Sequence, residues 1–282
     1  MLRALRRSFP FELVHAHYAA PAGDAVRRAE PRVPAVISVH GGDVLSVARR
    51  RGGDVAVRSA LASARLVVAN SSAIAVRARE LGARETRVVH LGTEVPPAAT
   101  AGEGLVTVGH LVERKRHTDV LHALWLLRED FPDLRWTVVG EGPERAELED
   151  EARGLDIADR VTFTGALPPE EAAATAQRGA VFVLPSVDEA FGVAYVEAMA
   201  GGVPVIGCEQ EPGPEEIAAA GGGIRLVPPR DPEALARELR ALLGDDGRRR
   251  ELGAVARATV EAAFTWPRCG AATVAAYEAA LR

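Results

Sequence analysis

An α/β fold with two parallel-sheet domains is what this sequence predicts, and three observations carry the prediction. Short runs of Val, Ile and Leu alternate with helical stretches along the whole chain. The 282 residues suffice for two domains of ordinary size. A Pro- and Gly-containing segment without periodicity divides the chain near residue 100. Continuous apolar runs mark strands covered on both faces, as in parallel sheets. Their alternation with helices marks βαβ units.

The elements follow in order. "MLRALRRSF" predicts a short amphipathic helix with Leu2, Leu5 and Phe9 on one face. Strands are expected at "FELVHAH", "PAVISVH", "RLVVAN" and "RVVHLG". The linker "GTEVPPAATAGEG" (92–104) follows, and then strands at "LVTVGH", "LRWTVVG", "RVTFTG", "AVFVLP", "VPVIG" and "GGIRLV". Segments such as "TDVLHALWLLRED" and "PERAELEDEARGL" supply helices between them. Six strands complete an open sheet. Four strands with no opening strand and Gly-rich turn leave the first domain cut short at its N-terminus. The boundaries expected are 1–97 and 98–265.

Composition narrows the setting. Apolar residues make up 48% and charged residues 26%, ordinary for a globular protein. No apolar run approaches the roughly 18 residues of a spanning helix. The basic N-terminus lacks the apolar core of a signal peptide. Cys208 and Cys269 stand far apart with no CxxC, so a reduced, cytoplasmic setting is expected. Charge is unevenly spread: residues 1–95 carry 15 arginines against 8 acidic residues (+7), and the remainder 19 basic against 31 acidic (−12). A basic first part points to an anionic partner, a membrane surface or a phosphorylated acceptor, or else to a solvated arginine-rich surface. No nucleic acid is expected as a partner.

Three segments carry chemistry. In "VGHLVERKRHTDVLHAL" a strand ends at Gly109, and a polar loop with Lys115 leads into a helix. Lys115 is the only lysine, against 33 arginines. A compact ammonium meets phosphate as a point charge where guanidinium is a planar fork. "VVGEGPERAEL" is a second strand, turn and helix, in which Gly140 and Gly142 permit close backbone approach. "DEAFGVAYVEAMAGGVPVIG" places Glu189 in a loop, Gly192 before a helix, and Glu197 about two turns into it among apolar residues. Free amides at a helix start attract phosphate, and a carboxylate in apolar company needs partners.

Together "GHLVERK", "GEGP", "PSVDEAFGVAYVEAMAGGVPVI" and "LVPPRDPEALA" resemble, in order and spacing, the C-terminal half of glycosyltransferase family 4. The resemblance implies retaining enzymes of GT-B fold, with two Rossmann-like domains facing a cleft, that use nucleotide-sugar donors. It implies Glu197 on the donor ribose, Glu189 on the transferred sugar, and Lys115 on phosphate. It also implies amides around Phe191, Gly192 and Val193 facing the sugar and diphosphate, with Gly109, Arg114 and Gly142 at the donor. Where the family commonly has arginine, this chain has His110, with Arg114 and Arg116 nearby to compensate. "FELVHAHYAAPAGD" and "PAVISVHGGDV" resemble the later half of the family's N-terminal domain. This implies His40 facing the transferred sugar, and His17, Gly41 and Asp43 on the acceptor side. "FTWPRCGAATVAAYEAAL" resembles its last helices, so 266–282 is expected to cross back to the first domain.

His15 and His17, two apart on one strand, share a face. A metal pair there lacks a third ligand in the sequence. No cofactor is expected beyond a UDP- or GDP-linked sugar as co-substrate. The expected acceptor is a glycan or a lipid-linked one in surface polysaccharide synthesis, with peripheral contact at the inner membrane face. A partner chain completing the first domain belongs to the same expectation. Two alternatives stand beside it: a non-catalytic or partner-dependent nucleotide-sugar binding remnant, and a nucleotide-sugar epimerase. A nicotinamide dehydrogenase is disfavoured, because no strand runs into GxGxxG.

Overall fold

A computed structural model describes residues 5, 7–100 and 102–282. The chain divides into two compact units, Met1–Leu91 with Trp266–Arg282, and Gly92–Thr265.

Among the described residues the first unit holds four parallel strands, β1 Val14–His17, β2 Ala35–Val39, β3 Leu66–Ala69 and β4 Thr86–Val88, in the order β1-β2-β3-β4. β1, β2 and β3 each fall within an apolar run expected to be a strand, whereas β4 starts one residue before the run "RVVHLG" and covers only its first two residues. β3 reads Leu-Val-Val-Ala and is buried throughout, as a strand covered on both faces must be. The helix Gly53–Ser63 buries Val57, Ala60 and Leu61. The closing helix Trp266–Leu281 belongs to this unit, where Ala276 and Ala280 pack with Val36, Leu66, Val68 and Val89. β1 is an edge strand, paired only with β2 among the described residues. Of the expected N-terminal helix, Leu2 lies outside the described residues. Leu5 and Phe9 are exposed.

The second unit holds six parallel strands, β5 Leu105–Val108, β6 Trp136–Val139, β7 Val161–Gly165, β8 Val181–Val183, β9 Val205–Cys208 and β10 Ile224–Val227. Their order, β10-β9-β8-β5-β6-β7, is that of a doubly wound Rossmann sheet. Caps account for two of its helices. Asp231 accepts from the Ala234 N–H at 2.8 Å, with Pro232 at the first helical position, and Asp245 accepts from the Arg248 N–H at 2.9 Å. One buried polar chain crosses the middle of the sheet. Trp136 Nε1 on β6 donates to Thr107 Oγ1 on β5 at 3.0 Å, and that hydroxyl donates to the Val183 carbonyl on β8 at 2.5 Å. Satisfied in this way, three polar groups sit in the core without an unpaired partner. The linker 92–104 is bound along this unit. Thr93 N–H donates to Phe264 O at 2.9 Å and Thr100 N–H to Gly201 O at 2.8 Å.

In open α/β sheets, ligands bind outside the carboxyl ends of the strands where the strand order reverses. Strand order reverses between β5 and β8, and one loop leaves the carboxyl end of each at that point. Those loops are 109–116 and 184–192, the segments that sequence singled out.

Candidate functional site

At the reversal, Lys115 Nζ donates to Glu189 Oε2 at 2.5 Å. Both residues are almost fully buried. Ser186 Oγ donates to the same oxygen at 2.9 Å, and Arg114 Nη1 lies 3.8 Å from it. Val187 N–H donates to Arg114 O at 2.8 Å, tying the two loops together. Two charged side chains from neighbouring switch-point loops therefore face each other in a low-dielectric pocket, where their attraction is stronger than in water.

The helix Val193–Ala200 starts immediately after. Gly192 has φ +83°, and a Cβ there would lie 2.3 Å from the Tyr195 ring, so only glycine makes this entry. Tyr195 itself is fully buried and donates to Leu184 O, which fixes the end of β8 against the helix start. Of the residues named for this helix end, Phe191 contributes only backbone, because its ring is buried edge-on against Phe264 with centroids 5.6 Å apart.

Glu197 is the fifth residue of the helix, little more than one turn in rather than two. It is half-buried and makes no hydrogen bond or ion pair among the described residues. Burial pushes its carboxyl pKa up. Gly109 lies beside the Lys115 stem, where a Cβ would sit 3.8 Å from Cδ and Cε. His110 is exposed. Gly142 meets the neighbouring loop, for its added Cβ would lie 2.2 Å from Leu111 O.

His117, one residue past Arg116, escaped the sequence reading as a site neighbour. It is fully buried, and neither ring nitrogen has a hydrogen-bond partner among the described residues. Burial and then the Lys115 charge hold its pKa at about 4. The unfolded value is near 6.5, so the unfolded chain takes up the extra proton between pH 6.5 and 4, and stability falls as pH falls through that window. Full protonation of the unfolded state costs on the order of 3 kcal/mol. In thermal melts His117→Leu is therefore expected to flatten the acid slope of the second unit. An unchanged slope would assign it to other groups.

In the first unit the predicted residues also meet. His17 Nδ1 and His40 Nε2 are 3.1 Å apart, and their rings stack at 5.3 Å. Asp43 is buried and braces the backbone, accepting from Ala19 N–H at 2.9 Å and His40 N–H at 3.1 Å. Gly41, between them, has φ +98°. Burial lowers the His40 pKa, His17 adding to the effect and Asp43 opposing it. His15 shares the face of His17 but is already occupied, by Tyr277 Oη and Ser38 Oγ at 2.7 Å each. His15, His17, His40 and Tyr277, but not Asp43, line a cavity of about 350 Å³ with Asn70 and Trp266.

Two Rossmann-like parallel-sheet units, one with a buried lysine–glutamate pair at its strand-order reversal, are of the GT-B class of fold. The chain belongs to the glycosyltransferases: residues 96–259 match the family described as glycosyl transferases group 1, and residues 1–95 match Glycosyltransferase Family 4. A D-inositol 3-phosphate glycosyltransferase of Streptomyces avermitilis is 30% identical over 96% of this chain and 66% of its own length. A glycogen synthase of Mycobacterium tuberculosis is 32% identical over 63% of this chain and 43% of its own length. The chain thus spans less than two thirds of the curated relatives it matches.

Among solved structures, sucrose-phosphate synthase from Thermosynechococcus elongatus superposes with a TM-score of 0.80 at 25% identity, over 98% of this chain and 75% of that one. HepE of Anabaena, solved with UDP bound, gives 0.83 at 21% identity, over 98% and 80%. No helix among the described residues is long and apolar enough to cross a membrane.

Proposed function

We propose that this chain transfers a sugar from a nucleoside-diphosphate donor to a hydroxyl of a glycan or lipid-linked acceptor, with retention of anomeric configuration. The observation that carries the reading is the buried Lys115–Glu189 pair beside a helix start, at the one reversal of strand order in the second sheet. Support comes from relatives whose names include GDP-mannose-dependent transfer, and from solved relatives of the fold that hold UDP or UDP-glucose.

In this reading the C1–O bond to the diphosphate breaks and one to the acceptor oxygen forms on the same face. The acceptor proton passes to the departing phosphate oxygen. Negative charge grows on the diphosphate, and Lys115 with the free amides at Val193 and Ala194 stabilises it. Glu189, held by Ser186, then takes a hydroxyl of the transferred sugar, and Glu197 takes the ribose hydroxyls. His40, its charge disfavoured by burial, hydrogen-bonds a sugar as a neutral ring. The acceptor belongs to the arginine-rich first unit, which suits an anionic or membrane-held molecule on the cytoplasmic side.

Calorimetric titration with UDP, GDP and ADP and their sugars tests the reading. One base is expected to bind. A folded chain that binds none of them refutes the donor site.

A further inference from the structure

The loop after β9 holds the site from a third side. Glu211 Oε2 accepts the N–H of Glu189 at 2.8 Å, and the same carboxylate takes the N–H of Asp188. Gly213 N–H donates to Glu189 O at 2.8 Å. A Cβ at Gly213 would lie 2.2 Å from Phe191 O, so the two loops meet backbone to backbone. Both polar groups of Glu189's main chain are thus fixed by residues 211 and 213.

The arrangement has a physical cost. Glu211 is half-buried, and burial with the nearby Asp188 and Glu189 carboxylates pushes its pKa up, while the two amides oppose this. Asp188 sits at φ +53°, and successive N–H groups around such a residue form a concavity that binds anions. Glu211 fills that concavity from within the chain.

We propose that Glu211 is a positioning residue: it acts through the Asp188–Glu189 backbone to set the Glu189 carboxylate for the sugar of the donor, without touching the donor. The inference rests on the donor reading above. Its logic lies in what binding does to Lys115. A diphosphate draws the ammonium away from Glu189, and the Lys115 anchor is then shared. The grip of Glu211 and Gly213 on the main chain does not depend on that ion pair, so it persists when the donor arrives. Sequence reasoning passed over Glu211 because a carboxylate before Pro-Gly reads as an ordinary helix-leading turn.

The test uses the full chain with two probe pairs, UDP with UDP-glucose and GDP with GDP-mannose, and compares wild type with Glu211→Ala and Glu211→Gln. The readout is the ratio of affinities for nucleotide sugar and bare nucleotide, with melting checked for each variant. Glu211→Ala is expected to bind the bare nucleotide normally and to lose about tenfold of the sugar increment, the worth of one or two hydrogen bonds to a charged acceptor. Glu211→Gln keeps a carbonyl acceptor and is expected to recover most of it. An unchanged ratio in Glu211→Ala, an equal loss for both ligands, or a glutamine variant as poor as alanine would overturn the positioning role. Failure of the wild-type chain to bind either nucleotide is a separate result: it removes the donor reading, and this inference with it.

Discussion

Lys115→Ala is expected to lower transfer by about 10²–10³-fold, the range for removing one preorganised donor from a developing negative charge. Two effects act together. The diphosphate loses its ammonium, and Glu189 loses its partner at 2.5 Å. Both groups are nearly buried, so the second effect reaches stability, where stripping one member of a buried pair costs about 3–5 kcal/mol. Arg114 at 3.8 Å and Ser186 at 2.9 Å reduce that cost by keeping some neutralisation and one hydrogen bond on the carboxylate. The double variant Lys115→Ala/Glu189→Gln isolates the stability effect, because it leaves no uncompensated buried charge. It is expected to recover most of the melting temperature and none of the transfer. Recovery of transfer along with stability would show that neither Lys115 nor the Glu189 charge takes part in transfer.

The sequence made the sheets legible for a simple reason. Among the described residues the central strands, such as β2, β3, β8 and β9, are short, mostly apolar runs, as strands buried on two faces must be, while β1, β4 and β7 are more polar and more exposed. Lys115, Glu189 and Gly192 were legible for a different reason: each is an exception to its surroundings. One is a lone lysine, one a carboxylate in the loop before an apolar helix, and one the glycine opening that helix. What stayed hidden is what side chains do across sequence distance. Ser186 beneath Glu189 looks like any loop serine. Tyr277 and Ser38 occupy both nitrogens of His15, a fact that depends on a helix 262 residues away. That occupation makes His15 a tie between sheet and closing helix, where spacing alone had allowed a ligand pair with His17. Likewise Gly142 reads as room for a ligand, but its missing Cβ leaves space for the Leu111 backbone.

Glu197 poses the second strong expectation, because stability and binding should move in opposite directions. Its carboxylate is half-buried on an apolar helix face, with no partner among the described residues, and burial alone raises its pKa from the ordinary 4.5. A raised folded value means the folded chain holds this proton more tightly than the unfolded chain does. The carboxylate therefore subtracts from stability as pH rises above 4.5, and the penalty is complete once pH passes the folded pKa. Glu197→Gln removes the charge and keeps the shape, so at pH 7 it should melt higher than wild type, with the difference closing as pH falls toward 4. A structural role would predict the reverse. In the donor reading the penalty persists because ribose hydroxyls supply the missing partners, and nucleotide binding should weaken by about tenfold in the glutamine variant, as hydrogen bonds to a charged acceptor are worth roughly 1.5–3 kcal/mol. Melting across pH beside UDP and GDP titrations measures both. A glutamine variant that is more stable and binds as well as wild type would remove Glu197 from the site. One that is less stable would show that the carboxylate has a partner within the fold.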